Sequence, residues 1–551
     1  MKRLFFIVTA AALAIAIALG GCTNQNQSNG SQGSSDGTSM YTAPGSFPIV
    51  NEPIELRMFS TPPAHITDLA TNTFTKWYEE KTNIKIIFET TTPDARAEKI
   101  NLIMASGDLP DFFYRVGYDI DWERYGGEEG LLLDLTDLIQ EQMPVYRKVL
   151  QDYPILEGAM RSTDGKVYAT GSLGGCYHCY FACKMWVNTM WLDRMGETAP
   201  TTTDEFYKLL KKYKEFNPNG IGISGATDNW LTNPADFIMN AFIYNNAYSP
   251  TRTYLKAGKT VATIVDTDEY KEGLMFLNKL YSEGLMDEGA LTQNADANRT
   301  VLASEGEPVL FQPGGGSINW IDSIVQADLY RNYYPISPLE GPKGVRQTTY
   351  FYPYIETGAG ISVSAKSKYP EAAVRWVDWM YSIEGYLTTT YGKEGVDWAW
   401  PTEEDKAMDG GTPLFTQIRP YNQEPQNDHW QDFVVGHSPW HSMGTAPQDI
   451  DIFDPIGLEP LLFKSSRELY EPFIPADGTV SMVPVTLKPD ESAEIQTITT
   501  ELENLIGSAR DEFIVGIRSF DDWDAYVKSL HDIGLEKYIA TYQKAYDRQY
   551  K

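Results

Sequence analysis

The sequence predicts an α/β protein in which more than one lobe is built on a doubly wound sheet flanked by helices. From residue 47 onward, segments with an apolar period of two, typical of strands, alternate with segments of helical period. Such alternation favours parallel strands joined by helices. The chain has 551 residues, of which 42% are hydrophobic, and this length exceeds what one core usually serves. The C-terminal region carries helical periods, so we expect it to be helical.

The N-terminus has the pattern of a lipoprotein signal peptide. Two basic residues precede an apolar run over residues 4–19, and a Leu-Gly-Gly-Cys motif ends at Cys22. The alternative is an uncleaved membrane anchor, but the run is shorter than the ~20 residues that a spanning helix needs. The sequence therefore predicts a signal peptide over residues 1–21 and lipidation of Cys22.

A polar segment over residues 22–46 separates this signal from the folded part. It is rich in Ser, Gly, Asn and Gln and has almost no apolar residue. Burial in such a segment cannot offset the entropy lost on ordering. We expect a flexible linker, with the folded part beginning near residue 47.

The first folded segment reads as three strands separated by helices. Residues 54–58 alternate between apolar and polar side chains, and residues 84–90 form a second apolar strand. A helix that ends at Gly107 precedes the third strand, over residues 111–116.

Candidate ligand contacts lie at and beyond the end of this third strand. In doubly wound sheets, ligands bind beyond the carboxyl ends of the strands. This rule points to Tyr114, Asp119 and Trp122. The alternative for each aromatic ring is packing in the core or in a turn.

Two strands and an amphipathic helix occupy residues 165–213, with an irregular, cysteine-bearing passage between the strands. Thr202 and Glu205 have the spacing of a capping box, in which each side chain accepts a hydrogen bond from the other's backbone N–H. The apolar face of the predicted helix consists of Phe206, Leu209, Leu210 and Tyr213.

The segment VNTMWLDRMGETAPTTTDEFYKLLKKY resembles the extracellular solute-binding proteins of family 1, the sugar-capturing receptors of ABC importers. It is most similar to their large lipoprotein members from Gram-positive bacteria, as are MASGDLPDFFY and GAGISVSAKSKYPEAAVRWVDWMYSIEG. The resemblance implies a two-lobed, periplasmic-binding-protein-like fold of type II, with the ligand held between the lobes. It implies an N-terminal lobe of residues 47–172 and 361–420, and a C-terminal lobe of residues 173–360 and 421–551.

Aromatic residues in later loops are further candidates for ligand contact. Trp230 follows a polar turn, and Trp320 follows three glycines in a loop that the family places toward the ligand. Rings in such loops could stack on the C–H faces of a sugar while polar side chains pair with its hydroxyl groups. The remaining candidates are Tyr352, Tyr354, Trp398 and Trp400.

We predict neither a metal site nor a cofactor. Relatives in the family often carry a calcium loop at the position of residues 214–230, but apolar residues and glycine stand here where oxygen ligands would be expected. An Asn-Pro-Asn-Gly turn is the prediction for this segment. The histidines His429, His437 and His441 lack the spacing of a known zinc site.

The cysteines leave more than one possibility. Cys176, Cys179 and Cys183 form a C-x2-C-x3-C pattern that contains His178. These four side chains could close a zinc site, but the stretch reads as an extended passage in which alternate side chains point apart. The alternatives are one disulfide with a free thiol, or three buried thiols. We expect buried or partly bridged thiols ahead of a metal site.

The net charge of −30 repels nucleic acid and anionic lipid headgroups. The sequence has neither a serine nucleophile elbow nor a zinc-protease motif. We hypothesise a monomeric, lipid-anchored binding protein on the extracellular face of the membrane, without enzymatic activity, that captures an oligosaccharide for the permease of an ABC importer. The alternatives are a secreted glycoside hydrolase, which needs two carboxylates, and a binding protein for a peptide or another small solute.

Overall fold

The computed structural model describes residues 39–174, 176–322, 325–408, 410–419, 425–431, 433–435, 451–454 and 457–551. The predicted signal peptide, the lipidation site Cys22 and most of the predicted linker lie outside these residues. The linker prediction is wrong for residues 41–46, because Tyr41 packs against the cluster of the first sheet and the Arg375 guanidinium donates to Thr42 O at 2.7 Å. None of the helices within the described ranges is long and apolar enough to cross a membrane.

The secondary structure alternates as predicted over most of the chain. The strands are β1 (Ile54–Ser60), β2 (Ile84–Thr90), β3 (Phe112–Tyr114), β4 (Ser172–Leu173), β5 (Met185–Asn188), β6 (Ile221–Ile223), β7 (Tyr254–Lys256), β8 (Thr260–Ala262), β9 (Val309–Pro313), β10 (Tyr333–Pro335), β11 (Ile355–Glu356), β12 (Ile361–Val363), β13 (Trp398–Ala399), β14 (Thr416–Gln417) and β15 (Val480–Ser481). The helices are α1 (Thr73–Thr82), α2 (Arg96–Ser106), α3 (Thr136–Gln142), α4 (Pro144–Asp152), α5 (Pro154–Met160), α6 (Thr189–Met195), α7 (Thr203–Phe216), α8 (Pro234–Ile238), α9 (Asp268–Ser282), α10 (Ala295–Leu302), α11 (Ala327–Arg331), α12 (Pro370–Asp378), α13 (Ile383–Tyr391), α14 (Leu458–Ser465), α15 (Pro489–Val515), α16 (Trp523–Ile533) and α17 (Leu535–Tyr550).

The first sheet has the strand order β12-β3-β1-β2. β1 pairs in parallel with both β2 and β3, whereas β12 arrives from far along the chain and pairs antiparallel to β3. Leu56, Phe112 and Trp376 lie in the apolar cluster of this sheet, and Trp430 and Phe433 pack into the same cluster. The last two residues belong to the segment assigned by the sequence to the C-terminal lobe.

The second sheet has the order β10-β5-β9-β6. β6 and β9 are parallel, and β5 is antiparallel to both β9 and β10, so each of the two sheets is mixed. The predicted capping box opens α7, because the Thr202 hydroxyl accepts from Glu205 N at 3.1 Å. The four side chains predicted for the apolar face of α7 are all buried in the cluster of this sheet.

A two-stranded ladder connects the segments that carry the chain between the sheets. β4 pairs antiparallel with β11, and Gly174 N donates to Tyr354 O at 2.7 Å just beyond the ladder. The predicted crossing at residues 172 and 173 lies within β4, and the other, at residues 360 and 361, lies a few residues after β11.

The C-terminal helices α15 and α17 are joined through a buried carboxylate. The Glu491 side chain accepts from Lys488 N at 2.9 Å and from the Arg548 guanidinium at 3.0 Å, and the Lys544 ammonium lies 3.0 Å away. Burial by itself would raise the pKa of Glu491, but these donors and positive charges outweigh it and lower the pKa to about 2. The carboxylate thus stabilises the folded state when it is ionised.

Glu491→Gln is expected to lower the free energy of unfolding by about 2 kcal/mol at pH 7, because the charge is lost while one acceptor oxygen remains. The folded pKa is lower than the unfolded one, so this contribution is complete above the unfolded pKa and is lost as the pH falls toward 2. Denaturant unfolding at pH 7 and pH 3 should show a difference between variant and wild type that is about half as large at pH 3. Glu501→Gln, at an exposed position of α15, is the matched control. Equal losses at both pH values would contradict the electrostatic explanation.

Candidate functional site

Trp230 lies where the two parallel strands of the second sheet end, the edge at which such sheets bind ligands. A Cβ on Gly315 would lie 2.4 Å from the ring atom Cε3 of Trp230, so only glycine lets the indole approach the loop after β9 this closely. Gly315 N donates to Trp230 O at 3.1 Å, and Asn229 Nδ2 donates to Asn319 O at 2.6 Å. These contacts fix the ring at the carboxyl edge.

Aromatic rings continue from Trp230 toward the β4–β11 ladder. The indole N–H of Trp230 donates to the Tyr248 hydroxyl. The ring of Tyr248 lies 4.2 Å from that of Phe351 and 6.4 Å from that of Tyr354, measured between centroids. Burial and the nearby carboxylate of Glu356 raise the pKa of Tyr354 to about 12, so its hydroxyl stays protonated at neutral pH.

Tyr118 extends this row on the side of the first sheet. It lies in the loop after β3, and its ring packs so tightly against Gly358 that a Cβ there would lie 2.4 Å from Tyr118 Cγ. The side chain is 56% exposed. We call Tyr118, Trp230, Tyr248, Phe351 and Tyr354 the aromatic wall.

A cavity of about 340 Å³ adjoins the aromatic wall. Tyr248, Phe351 and Tyr354 form one side of it, and Tyr538 and Tyr542 of α17 contribute further rings. Polar lining groups include the Asn246 amide, the Ser249 hydroxyl and the Glu503 carboxylate. Flat rings combined with a few polar groups are the composition of sites that bind small polar ligands with apolar faces.

Buried polar atoms at the carboxyl edges of both sheets lack protein partners. Within the described ranges, the hydroxyl oxygens of Ser60 and Thr61 at the end of β1 and of Ser317 after β9 have no hydrogen-bond partner, and neither has Trp122 Nε1. Each unpaired buried group costs about 1–3 kcal/mol, so polar atoms at a ligand-binding edge favour a ligand with hydroxyl groups.

A family model for bacterial extracellular solute-binding proteins matches residues 63–386, more than half of the chain. The chain belongs to this family. The family consists of binding proteins, so the prediction that the chain is not an enzyme is confirmed. The glycoside hydrolase alternative is thereby set aside.

Three relatives illustrate the similarity. The fructooligosaccharide ABC transporter substrate-binding protein FusA of Streptococcus pneumoniae is 25% identical over 82% of either chain. Lipoprotein LipO of Bacillus subtilis is 27% identical over 80% of this chain and 83% of its own. An HMO-binding, ABC-transporter-associated solute-binding protein from Bifidobacterium longum infantis is 22% identical, with a TM-score of 0.71 over 90% of this chain and 99% of that chain. This solute-binding protein therefore has the predicted two-lobed α/β fold of type II.

The predicted ligand contacts of this solute-binding protein lie in the aromatic wall, at exposed or half-buried positions outside it, or in the core. Trp230 and Tyr354 lie in the aromatic wall. Tyr352 is 46% exposed, but its ring neighbours are Tyr350 and Tyr180, which are not part of the aromatic wall. Asp119 forms an ion pair with Arg96, and Trp122 is half-buried, packed against the cores below the loop.

Three predicted contacts are core residues, contrary to the expectation that they face a ligand. Tyr114 faces inward from β3 and its hydroxyl donates to Phe433 O at 3.0 Å. Trp398 is fully buried and its indole N–H donates to Gly392 O at 2.9 Å. Trp320 is 1% exposed in a cluster with Trp186 and Tyr333. Trp400 is exposed and packs edge-on against Trp398.

Tyr118, Tyr248 and Phe351 were not predicted as site residues. Tyr118 directly precedes the predicted Asp119, so the same strand-end rule could have selected it. The sequence of residues 231–310 indicates a helical region, but Tyr248 lies in a turn between α8 and β7. Phe351 neighbours the predicted Tyr352, but the sequence does not indicate which residue of that aromatic segment faces the sheet edge.

The predictions for the Asn-Pro-Asn-Gly turn and for the cysteine passage have different outcomes. Residues 217–220 form the predicted turn, in which Gly220 N donates to Asn217 O at 2.9 Å. His437 and His441 lie outside the described residues. The expectation of an extended passage at the cysteines is wrong, because Tyr177–Phe181 form a 3-10 turn that brings Cys176 and Cys179 into a disulfide. Cys183 is a buried free thiol, so the structure has the first of the two alternatives, one disulfide with one free cysteine.

Lys184 holds this 3-10 turn in place. Its ammonium is buried and donates to the carbonyl oxygens of His178 at 2.9 Å and Phe181 at 2.6 Å. Burial lowers the pKa of Lys184 to about 7. The turn thus places His178 within 6.2 Å of the Trp230 ring, at the margin of the aromatic wall.

Proposed function

We propose that this solute-binding protein captures an oligosaccharide at the aromatic wall and delivers it to an ABC importer. The observation that supports this most strongly is the row of rings between the carboxyl edges of the two sheets, next to unpaired buried hydroxyl groups. Sugars present apolar faces to such rings and hydroxyl groups to such partners. The names of FusA and of the Bifidobacterium protein, which describe oligosaccharide or HMO binding, agree with this ligand class.

We further infer that the ligand lies between two lobes that close around it. The lobes would be residues 47–172 with 361–420, and residues 173–360 with 421–551. Because Trp430 and Phe433 pack in the core of the first sheet, we assign these two residues to the N-terminal lobe. The β4–β11 ladder is short and joins the two crossing segments, which suits a hinge between lobes.

The predicted signal peptide over residues 1–21 and lipid-bearing Cys22 would attach the protein to the extracellular face of the cell membrane. The Leu-Gly-Gly-Cys motif supports this proposal, and LipO is a lipoprotein by name. Because residues 41–46 pack on the folded part, the part of the predicted linker before them would be the tether that lets a monomer reach the permease subunits of its importer on the same membrane.

Thermal unfolding with a panel of oligosaccharides and peptides tests the proposed ligand class. A ligand at a hundred times its dissociation constant adds about 2.7 kcal/mol of stability. We expect one class of oligosaccharide to raise Tm by about 5 °C and to be recovered intact. Stabilisation by peptides alone would contradict the proposal, as would cleavage of the sugar.

A further inference from the structure

The two cysteines of the disulfide, Cys176 and Cys179, form a group of potential metal ligands together with His178. Cys176 Sγ lies 3.2 Å from His178 Nε2, and Cys179 Sγ lies 4.0 Å from His178 Nδ1. All three side chains are buried, and one ligand atom from each falls within 4.8 Å of the others. We propose that the reduced, dithiol form of this cluster binds one Zn²⁺ ion.

The local backbone supplies the arrangement that a zinc knuckle needs. Zinc sites in proteins commonly take two thiolates from a Cys-x-x-Cys pair, and the 3-10 turn brings the two Cα atoms to 5.2 Å. His178 lies between the cysteines in sequence, and its ring is turned toward both sulfur atoms. The turn removes the main objection to a metal site here, since an extended chain would point these side chains apart.

A fourth ligand can come from a different element. Glu459, in the first turn of α14, places its Oε2 atom 3.2 Å from His178 Nε2. The Glu459 carboxylate lies outside the group of ligand atoms that are within 4.8 Å of one another, so its half-exposed side chain would have to rotate to reach the ion. With that rotation, a carboxylate, an imidazole and two thiolates give four ligands of types that zinc accepts. The two thiolates by themselves balance the charge of the cation, and the additional negative charge would lie on Glu459, whose side chain is 57% exposed.

Lys184 supports the site without acting as a ligand. Its side-chain nitrogen donates to the carbonyl oxygens of His178 at 2.9 Å and Phe181 at 2.6 Å. These two hydrogen bonds hold the turn closed, so the cysteines would stay near each other after reduction.

The proposed site would alternate between a disulfide without metal and a dithiolate that binds Zn²⁺. A dithiol reductant transfers two electrons and two protons to the Cys176–Cys179 disulfide, which opens to two thiols, and the reductant becomes a disulfide. Binding of Zn²⁺ to the two thiols then releases two protons. A disulfide oxidant would reverse the cycle: it takes up two electrons and two protons and becomes two thiols, while the Cys176–Cys179 disulfide forms again and Zn²⁺ is released.

Cys183 provides a matched control within the same passage. It is buried among Ala182, Leu231 and Phe351 and lies outside the group of ligand atoms. Burial raises the pKa of Cys183 to about 12, so this thiol stays protonated at neutral pH. Cys183→Ser therefore removes a thiol but none of the proposed ligands.

Metal titration of the full chain carrying Cys22→Ser tests the proposal. The protein is reduced with a phosphine, freed of reductant under argon and titrated with Zn²⁺ against a chromophoric chelator. Co²⁺ serves as a second probe, because thiolate ligation gives it a near-ultraviolet charge-transfer band. We expect one equivalent to bind to the reduced protein and to its Cys183→Ser variant, and none to the oxidised protein.

Variants of the proposed ligands sharpen this test. Cys176→Ser and His178→Gln should each weaken Zn²⁺ binding by roughly 100-fold or more, and Glu459→Gln by about 10-fold. Circular dichroism before titration verifies that each variant is folded, and the Co²⁺ spectrum of the Cys183→Ser protein must equal that of the parent. The absence of binding to the reduced protein would overturn the proposal. Equal binding to the oxidised protein or to Cys176→Ser would overturn it as well.

Discussion

Replacement of Trp320 by alanine is expected to lower the free energy of unfolding by about 4 kcal/mol. The ring is 1% exposed and meets Trp186 and Tyr333 edge-on, with centroid distances of 5.7 and 5.0 Å. Truncation would remove this packing and leave a cavity that the surrounding sheet and the loop after β9 can only partly fill. Denaturant unfolding monitored by circular dichroism measures the loss.

Trp320→Phe separates packing from polarity in this experiment. The Nε1 atom of Trp320 is buried without a hydrogen-bond partner among the described residues, so phenylalanine leaves no broken hydrogen bond behind. We expect this variant to lose less than about 2 kcal/mol, because much of the ring remains. A Trp320→Ala protein with unchanged stability and abolished ligand binding would show that Trp320 is a ligand contact, as its loop position suggests, and not a core residue.

Periodicity predicted much of the fold because it reports directly which side chains are buried. The apolar face of α7 is a case in point: Phe206, Leu209, Leu210 and Tyr213 share one side at a spacing that only a helix produces, and all four are buried. The capping box at Thr202 fixed the start of that helix for a local reason, since it needs no contact with the rest of the chain.

The candidate site was harder to predict because a position in sequence does not give the direction of a side chain. Tyr114 lies in the predicted third strand and ends it in the structure, at the ligand-binding edge, but the pleat turns its ring into the core. Trp320 follows a glycine-rich loop, but it comes directly after a short 3-10 turn, Ser317–Asn319, and its ring packs in a core cluster. In both cases tertiary packing determined whether the ring is exposed.

The prediction of an extended chain at the cysteines was wrong for a different reason. The irregular sequence reads as extended, but the buried ammonium of Lys184 gathers two carbonyl oxygens and closes a 3-10 turn. This stabilisation depends on the burial of the lysine by later parts of the chain, such as Tyr470, whose ring lies 5.6 Å from the ammonium. A local pattern could not indicate a contact over that distance in sequence.

Replacement of Trp230 by alanine is expected to weaken binding of the proposed oligosaccharide by about 100-fold. The indole is fixed by Gly315 on one side and by the Tyr248 hydroxyl on its edge, so the ring can meet a ligand with little further loss of entropy. Loss of the ring also leaves the Tyr248 hydroxyl without this donor, which loosens the neighbouring part of the aromatic wall. Isothermal titration with the sugar that stabilises the wild type most measures the effect.

Trp77→Ala is the matched control for this experiment, because Trp77 is an exposed tryptophan of α1 that packs beside Lys81 and Trp379, away from the aromatic wall. We expect this control to bind the sugar with wild-type affinity. Trp230→Phe should recover part of the loss, since a flat ring remains but its hydrogen bond to Tyr248 does not. If Trp230→Ala bound the sugar as tightly as the wild type, the aromatic wall would not be the binding site. The unpaired hydroxyl groups at the end of β1 would then be the next place to test, because a sugar that does not stack at Trp230 would have to be held mainly by polar groups at the sheet edges.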